Sequence, residues 1–491
     1  MTEPHHENSY RAQRKPRAAF ATREAYLEHE LQVMAPRRWA PNYPFRDYRF
    51  EWEDWIPAMA ATIGKVVMVA AIVAAFATPL GLSAEFMTEN IRFEMLIAAV
   101  LFAFFLSGFL NPTANLPGTH GPLIPMIPLV VASGGHPMAL GIMIGILGFI
   151  LGITKGGSLL TRLTSNGVAG GLLLYLGFIG VTSQVGRLFS WAESFDKGYI
   201  AFIVLLATIV MYALLEHFRK RWLAIPLGCL LAGLIAFALG APFEFTTEPG
   251  LPNMNPAYWW GESTGWQLGL PDLKAFLAVT PFAILAVAMW SPDFLGHQVF
   301  QRLNYPKNTD RVIMNIDDTM IGAASRQMVG SVLGGANITS SWGTYIVPAA
   351  IAKRPIPGGA VLTGILCIAT AILGYPMDLA VWPPVLSIAL IVGVFLPLLE
   401  AGMQMTRKGK TTESAAVVIF SSAIVNPVFG WSLTVLLDNL GLIGCKERGQ
   451  ELGHTGRWII PGIVFALLCV VMLAIGMFPG VPAVVRAFQI Q

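Results

Sequence analysis

Long apolar runs separated by short polar loops dominate the chain after residue 56. About 20 consecutive apolar residues cross a bilayer as a helix. By that ruler the pattern predicts spans over 57–79, 92–111, 137–155, 163–185, 198–217, 222–240, 273–293, 356–375, 380–400, 413–437 and 457–479. Three further apolar segments, 119–133, 318–334 and 341–352, are short or broken by Gly and Pro. Spans and half-spans together give fourteen segments. Residues 1–56 contain no such run and read as a polar tail, with a surface helix expected at 20–35. The tail is not expected to be a cleavable leader, because the first long apolar run reads as a mature span.

Positive charge on the loops orients these segments. The tail holds Arg11, Arg14, Lys15, Arg17, Arg23, Arg37, Arg38, Arg46 and Arg49. Loops expected on its side carry Lys155 and Arg162, Arg219 to Arg221, Arg302, Lys307 and Arg311, Lys353 and Arg354, then Arg407, Lys408 and Lys410. The long opposite loop at 241–272 carries Glu244, Glu248, Glu262 and Asp272 without a basic residue before Lys274. Both termini are therefore expected on the cytoplasmic side. Trp52, Trp55, Tyr258, Trp259 and Trp260 read as interfacial anchors.

The broken segments repeat. Ala114-Asn115-Leu116-Pro117-Gly118-Thr119-His120-Gly121-Pro122-Leu123-Ile124 aligns with Ala336-Asn337-Ile338-Thr339-Ser340-Ser341-Trp342-Gly343-Thr344-Tyr345-Ile346 at a constant offset of 222. Gly145-Ile146-Leu147 recurs as Gly364-Ile365-Leu366, with a three-residue gap. Seven segments per half invert the second half across the membrane, and inverted repeats with interrupted helices mark secondary transporters. Non-helical backbone at that depth is tolerated only where protein or a wet cavity satisfies it. Pro117, Pro122, Pro125 and Pro128 cannot donate backbone bonds, while Gly118, Gly121 and Gly343 permit close approach. Each broken segment is expected to enter as a short strand and continue as a half-helix. The two half-helix N-termini would then offer N–H groups and partial positive charge to an anion or a polar carbonyl. Ordinary kinked helices are the alternative.

Composition agrees. The 491 residues are 55% hydrophobic and 12% charged, about half the charge of a soluble domain. The excess apolar surface must face lipid, which excludes a soluble enzyme. A net charge of +3 gives no basic face for nucleic acid. Cys229, Cys367 and Cys469 lie in apolar runs and read as small buried hydrophobes, while Cys445 lies in a polar loop. No metal tract, nucleophile elbow, P-loop or His-Glu-x-x-His is present, so catalysis and resident cofactors are not expected.

Charges within apolar runs are the remaining chemistry. Asp293 closes the 273–293 run and could hold a proton, Na⁺ or a ligand N–H, or sit as a helix-end carboxylate at the surface. His297 shares its face if the helix continues. Lys65 is expected to snorkel to the cytoplasmic face. Glu400 and Asp438 read as interfacial, and Arg326 is expected to pair with an acid or a headgroup.

These residues resemble the superfamily of nucleobase–ascorbate transporters and sulfate permeases, with a uracil-permease-like fold. Asp293-Phe294-Leu295-Gly296-His297 is similar to that family's eighth-helix Glu-His-Ile-Gly-His signature. Asn337 to Thr344 resembles its Asn-Thr-Thr-Tyr-Gly-Glu-Asn sequence with an extra residue, and Leu116 to Leu147 resembles its third and fourth helices. The second substrate-binding acid falls on Thr344, which departs from uracil recognition and resembles sodium-dependent bicarbonate carriers of the sulfate permease group. A bacterial branch of that superfamily is implied.

The resemblance implies an all-α polytopic protein of fourteen segments in a seven-plus-seven inverted repeat, with short strands at segments 3 and 10. The division is a cytoplasmic tail at 1–56, core helices at 57–155, gate helices at 156–240, an extracytoplasmic loop at 241–272, core helices at 273–375, gate helices at 376–480 and a C-terminal tail at 481–491. It implies an elevator-like, H⁺- or Na⁺-coupled symporter of a small polar or anionic solute in a bacterial inner membrane, often dimeric. Asp293, Thr119, His120, Gly121, Ser341, Trp342, Gly343, Thr344 and Tyr345 are the candidate substrate site. Asp293, Thr344 and His297 are candidates for the coupling ion, and Asn115 and Asn337 for support of the unwound backbone. An anion channel or exchanger on the same fold is the alternative; a membrane enzyme is third.

Overall fold

The structure is a computed structural model that describes residues 13–114, 121–156, 160, 163–260, 269–334, 353–354, 356–407, 411–444 and 458–477. It is all-helical; among the described residues the single β feature is an isolated bridge between Pro44 and Tyr48. The tail contributes α1 (Arg23–Val33), whose cap Thr22 accepts from the Ala25 N–H at 3.1 Å. The expected surface helix is thus present, and it rests on protein. Leu31, Val33, Met34 and Tyr48 bury themselves against Tyr305, Val312 and Ile313 at the ends of later helices.

The apolar runs then become α2 (Trp55–Leu80), α3 (Ala84–Ile97), α4 (Ile127–Ala132), α5 (Pro137–Ile153), α6 (Asn166–Glu193), α7 (Gly198–His217) and α8 (Ala224–Ala238). After α9 (Pro256–Trp260) come α10 (Leu273–Asn304), α11 (Ile316–Leu333), α12 (Ile356–Leu373), α13 (Tyr375–Val381), α14 (Pro383–Leu390), α15 (Leu396–Thr406), α16 (Thr411–Ile424), α17 (Pro427–Asn439) and α18 (Ile460–Ala474). α3 continues through wider π-type turns over Ala98–Leu110, and Ile391–Phe395 links α14 to α15 in the same way. Among the described residues, six helical stretches are long and apolar enough to cross a membrane, or seven if α12 and α13 form one bent span.

Three expected spans differ from the single runs read in the sequence. The 413–437 run is two helices, α16 and α17, broken before Asn426, whose side chain caps α17 by accepting from the Phe429 N–H. α17 folds back so tightly that a Cβ on Gly430 would meet the Ser422 N at 2.7 Å. The 356–375 run ends at Gly374 in a left-handed conformation (φ 75°) and turns by 88° into α13. The 273–293 run does not stop at Asp293: Pro292 removes one donor, yet α10 runs on to Asn304.

Glycine sets the closest packing. Gly141, Gly145, Gly148 and Gly152 fall on one face of α5 and meet α11. A Cβ on Gly145 would approach the Ala324 carbonyl to 2.9 Å, and one on Gly152 the Asp317 carbonyl to 3.2 Å. Small residues give membrane helices this backbone-to-backbone contact, where no hydrophobic effect drives association.

One large apolar core joins α2, α3, α5, α6, α10, α11 and α12. A second, smaller core lies between α6, α7, α8 and α14, built on Leu188, Val204, Ala232 and Ile388. The outer face of α7 and α8 exposes Phe202, Ile209, Leu230 and Phe237. Such a surface is stable only against lipid.

Candidate functional site

The entrance to α4 is a tight 3-10 turn over Gly121–Met126, followed by a helix of six residues. Pro122 and Pro125 supply no backbone donor, and the first turns wind as 3-10 before the α-helix begins. The turn packs on α2, α6 and α10. Gly121 opens this turn, inside the 119–133 segment that the sequence reads as short or broken. Asn115, Thr119 and His120, and on the second segment Asn337, Ser341, Trp342, Gly343, Thr344 and Tyr345, lie outside the described residues; so do the expected strands.

Asp293 and His297 sit one turn apart on α10, with Nε2 to Oδ1 at 3.4 Å. Their side chains are 29% and 15% exposed. Asp293 is therefore a partly accessible carboxylate in the length of α10, and the expectation that it closes the helix is corrected. Trp290, one turn earlier, stacks on Phe294 at 5.8 Å between ring centroids and presses on Gly148 of α5. Two large aromatics thus fix the face of α10 from which Asp293 projects.

At the same end of the bundle the tail forms a cap. Arg38 binds Asp318 through Nε and Nη2 at 2.7 and 2.9 Å, while Trp39 Nε1 and Asn111 Nδ2 donate to the same carboxylate. Asp318 lies in the first turn of α11 and Asn111 ends the π-type stretch of α3. The cap therefore ties together two helices that lead into or out of the broken segments. Arg354 binds the buried Asp54, and Lys353 pairs with Glu28 at 2.8 Å.

The opposite end is closed by residues 241–260. Trp259 is fully buried, and Trp260 nearly so, which corrects their reading as interfacial anchors. Trp259 packs on Phe86, Phe93 and Gly334, and Trp260 Nε1 donates to the Val332 carbonyl at 2.8 Å. Arg92 is tied to Glu89 and donates to the Ala371 carbonyl. Trp52 remains exposed at 83%, as an anchor requires.

Mid-helix charges are the residues that sequence reasoning placed least well. Lys65 does not snorkel; it is buried on α2. Arg326 on α11 pairs with an acid, as expected, and the acid is Glu94 of α3. Neither side chain of that pair is exposed. Glu94 was legible as a carboxylate inside the 92–111 run, but nothing in the sequence announced its partner. Asp438 is also buried rather than interfacial, accepting from Ser414 Oγ at 2.7 Å. Glu400 is part-exposed and held by Arg221 and Tyr212. Among the described residues no three His, Cys, Asp or Glu side chains converge as a metal set.

Residues 2–485 match the family described as "Protein of unknown function (DUF3360)". The chain belongs to the DUF3360 family. No curated protein matches it in sequence. In fold, this DUF3360 chain is similar to the transmembrane domain of a cyanobacterium bicarbonate transporter, BicA, with a TM-score of 0.50 and 15% identity over 79% of this chain and 97% of that one. It is similar to the murine Solute Carrier 26 family member A9 anion transporter in its inward-facing state, with a TM-score of 0.52 and 13% identity over 87% of this chain and 73% of that one. A further SLC26A9 structure matches with a TM-score of 0.50 and 14% identity over 79% of this chain and 65% of that one. The fold is thus that of the sulfate permease group, and this DUF3360 chain is an integral membrane protein.

Proposed function

We propose that the protein is a secondary active transporter of a small anion, driven by H⁺ or Na⁺. The observation that carries the reading is the Asp293–His297 pair on α10, the helix that packs against the broken entrance to α4. A carboxylate inside a membrane bundle is costly and marks a coupling or ligand path. The likeness in fold to a bicarbonate transporter and an anion transporter supports the anion class.

In this reading fourteen segments form a seven-plus-seven inverted repeat. The core helices of residues 57–155 and 273–375 carry the substrate site, and those of 156–240 and 376–480, which hold the second apolar core of α6, α7, α8 and α14, form the gate. The core moves past the gate as an elevator. Thr119, His120, Gly121 and residues 341–345 surround the solute, with Asn115 and Asn337 bracing the backbone. The protein sits in a bacterial inner membrane with both termini in the cytoplasm, as a dimer.

Purified protein in proteoliposomes tests this with bicarbonate, chloride, sulfate and uracil, under an imposed H⁺ or Na⁺ gradient. Uptake of one anion above its equilibrium level is expected. Downhill flux alone would make the protein a channel, and uptake of none of the four would overturn the reading.

A further inference from the structure

Arg187 is a charge that the candidate site above leaves out. It lies inside α6, a helix long and apolar enough to cross a membrane. From Gly167 to Val181 that helix carries no charged side chain; Thr182, Ser183, Gln184, Arg187 and Ser190 then follow in close succession. The guanidinium reaches across to α2, where Nη2 donates to Thr78 Oγ1 at 3.5 Å. Thr78 stands just before Leu80, which ends α2 on the side of the bundle opposite the cap.

An arginine in a membrane span is costly; it pairs with an acid or a backbone carbonyl, or it faces a wet cavity. Among the described residues neither a carboxylate nor a carbonyl pairs with Arg187, and its bond to Thr78 is long. Glu193, the next ionisable residue along α6, lies beyond the i+3 and i+4 positions that share a face with Arg187. The one ionisable side chain on α2 is Lys65, another potential cation. Arg187 is half-buried, while Thr182, Ser183, Gly186 and Ser190 beside it are exposed. A Cβ on Gly186 would meet nothing within 4 Å, so there is open space next to the arginine. Most of the guanidinium N–H donors are left for solvent or solute.

Gln184 adds an independent observation. It stands three positions before Arg187, where side chains on a helix are neighbours. The long Arg187 side chain leans toward the N-terminal end of α6, and therefore over that turn. Gln184 is 7% exposed, and among the described residues its Oε1 has no hydrogen-bond partner. A buried amide oxygen without a donor is destabilising, and a ligand that brings a hydroxyl removes the defect.

The two groups call for one ligand chemistry. A guanidinium fork binds the paired oxygens of a planar, carboxylate-type anion through parallel N–H donors. The orphaned oxygen accepts from an O–H. Bicarbonate carries both features on one small anion. Chloride has no hydroxyl, and sulfate is tetrahedral and carries no proton at neutral pH.

We infer that Arg187 and Gln184, with Thr78 facing them from α2, form a binding site for a planar oxyanion that bears a hydroxyl. The site is separate from the one around Asp293 and deepens the transporter reading, on which its place in the route rests. In that reading α2 belongs to the core and α6 to the gate. The site therefore stands at the seam between them, where ligand sites between domains are commonly found.

Calorimetric titration of the purified chain with bicarbonate, chloride and sulfate tests binding, at constant ionic strength because salt screens the attraction. Arg187→Gln should weaken bicarbonate binding by about ten- to a hundredfold, the loss of a charge-assisted bond. Arg187→Lys keeps the charge without the fork and should recover part of the affinity. Gln184→Leu should weaken bicarbonate by about two- to tenfold and leave chloride unchanged. In proteoliposomes the KM for bicarbonate should rise in Arg187→Gln with little change in the maximal rate, and the Tm should hardly move. Size-exclusion profiles identify variants that do not fold, and Arg187→Lys serves if Arg187→Gln is one of them. Unchanged bicarbonate binding in Arg187→Gln overturns the inference, as does equal weakening of bicarbonate and chloride in Gln184→Leu. Uptake whose KM ignores Arg187→Gln would also overturn it and leave the transporter reading standing. Arg187-dependent binding without any uptake would keep the site and remove the transporter reading.

Discussion

Arg354 grips Asp54 through two parallel bonds, Nε to Oδ1 at 2.7 Å and Nη2 to Oδ2 at 3.0 Å, with 1% and 0% of the side chains exposed. Asp54 also accepts from the Glu51 N–H at 2.7 Å, just before α2 begins. The Arg354 carbonyl takes the hydroxyl of Tyr305 at 2.7 Å. One ion pair thus joins the cap, the start of α2 and the chain entering α12.

Breaking that pair leaves a charge buried without its counter-ion. Arg354→Met should destabilise the protein by about 3–5 kcal/mol. Thermal unfolding in detergent, followed by tryptophan fluorescence, reads this as a large fall in Tm. Asp54→Asn in the same background should restore part of the loss, because the orphaned carboxylate is then gone.

The Arg38–Asp318 contact behaves differently, because the Arg38 side chain is 54% exposed. Arg38→Ala should cost only about 1 kcal/mol. Asp318→Ala should cost more, about 2–3 kcal/mol, since Asn111, Trp39 and Arg38 all lose their acceptor. Comparing the two Tm shifts checks the ordering; equal shifts would mean the cap does not depend on this carboxylate.

Gly145 on α5 has no room for a branched side chain against the Ala324 carbonyl. Gly145→Val should force α5 from α11 and abolish a monodisperse size-exclusion peak. Gly186 on α6 meets nothing within 4 Å of a built Cβ. Gly186→Ala should be neutral or stabilising by about 0.5–1 kcal/mol, through helix propensity.

Trp259 is buried between Phe86, Phe93 and Gly334. Trp259→Ala should cost about 3–5 kcal/mol through the cavity it leaves. A surface anchor would lose far less, so the melting temperature separates the two roles.

Asp293→Asn should leave the melting temperature nearly unchanged, because the carboxylate is part-exposed and its contact with His297 is 3.4 Å long. Gradient-driven anion uptake should fall sharply. Retained concentrative uptake would remove Asp293 from the mechanism.

The sequence alone determined the membrane class, most of the apolar helices and the short, proline-bearing segment within 119–133. These follow from local rules: a bilayer demands length and apolarity, and proline interrupts a helix wherever it stands. It also placed Asp293 and His297 on one face, since i and i+4 positions meet on any helix. What tertiary structure decided are the partners. Lys65 could snorkel from its helix by length alone, and its burial is a property of the distant segments that pack on α2, among them α3 and α12. Trp259 and Trp260 carry the composition of an interfacial belt, yet α9 packs them against α3 and the end of α11. The fold-back of α17 on α16 depends on Gly430 meeting Ser422, and the cap depends on Asp54 meeting Arg354. Hydropathy along a chain records what each residue can tolerate, whereas these pairings are fixed only when segments far apart compete for the same interior space.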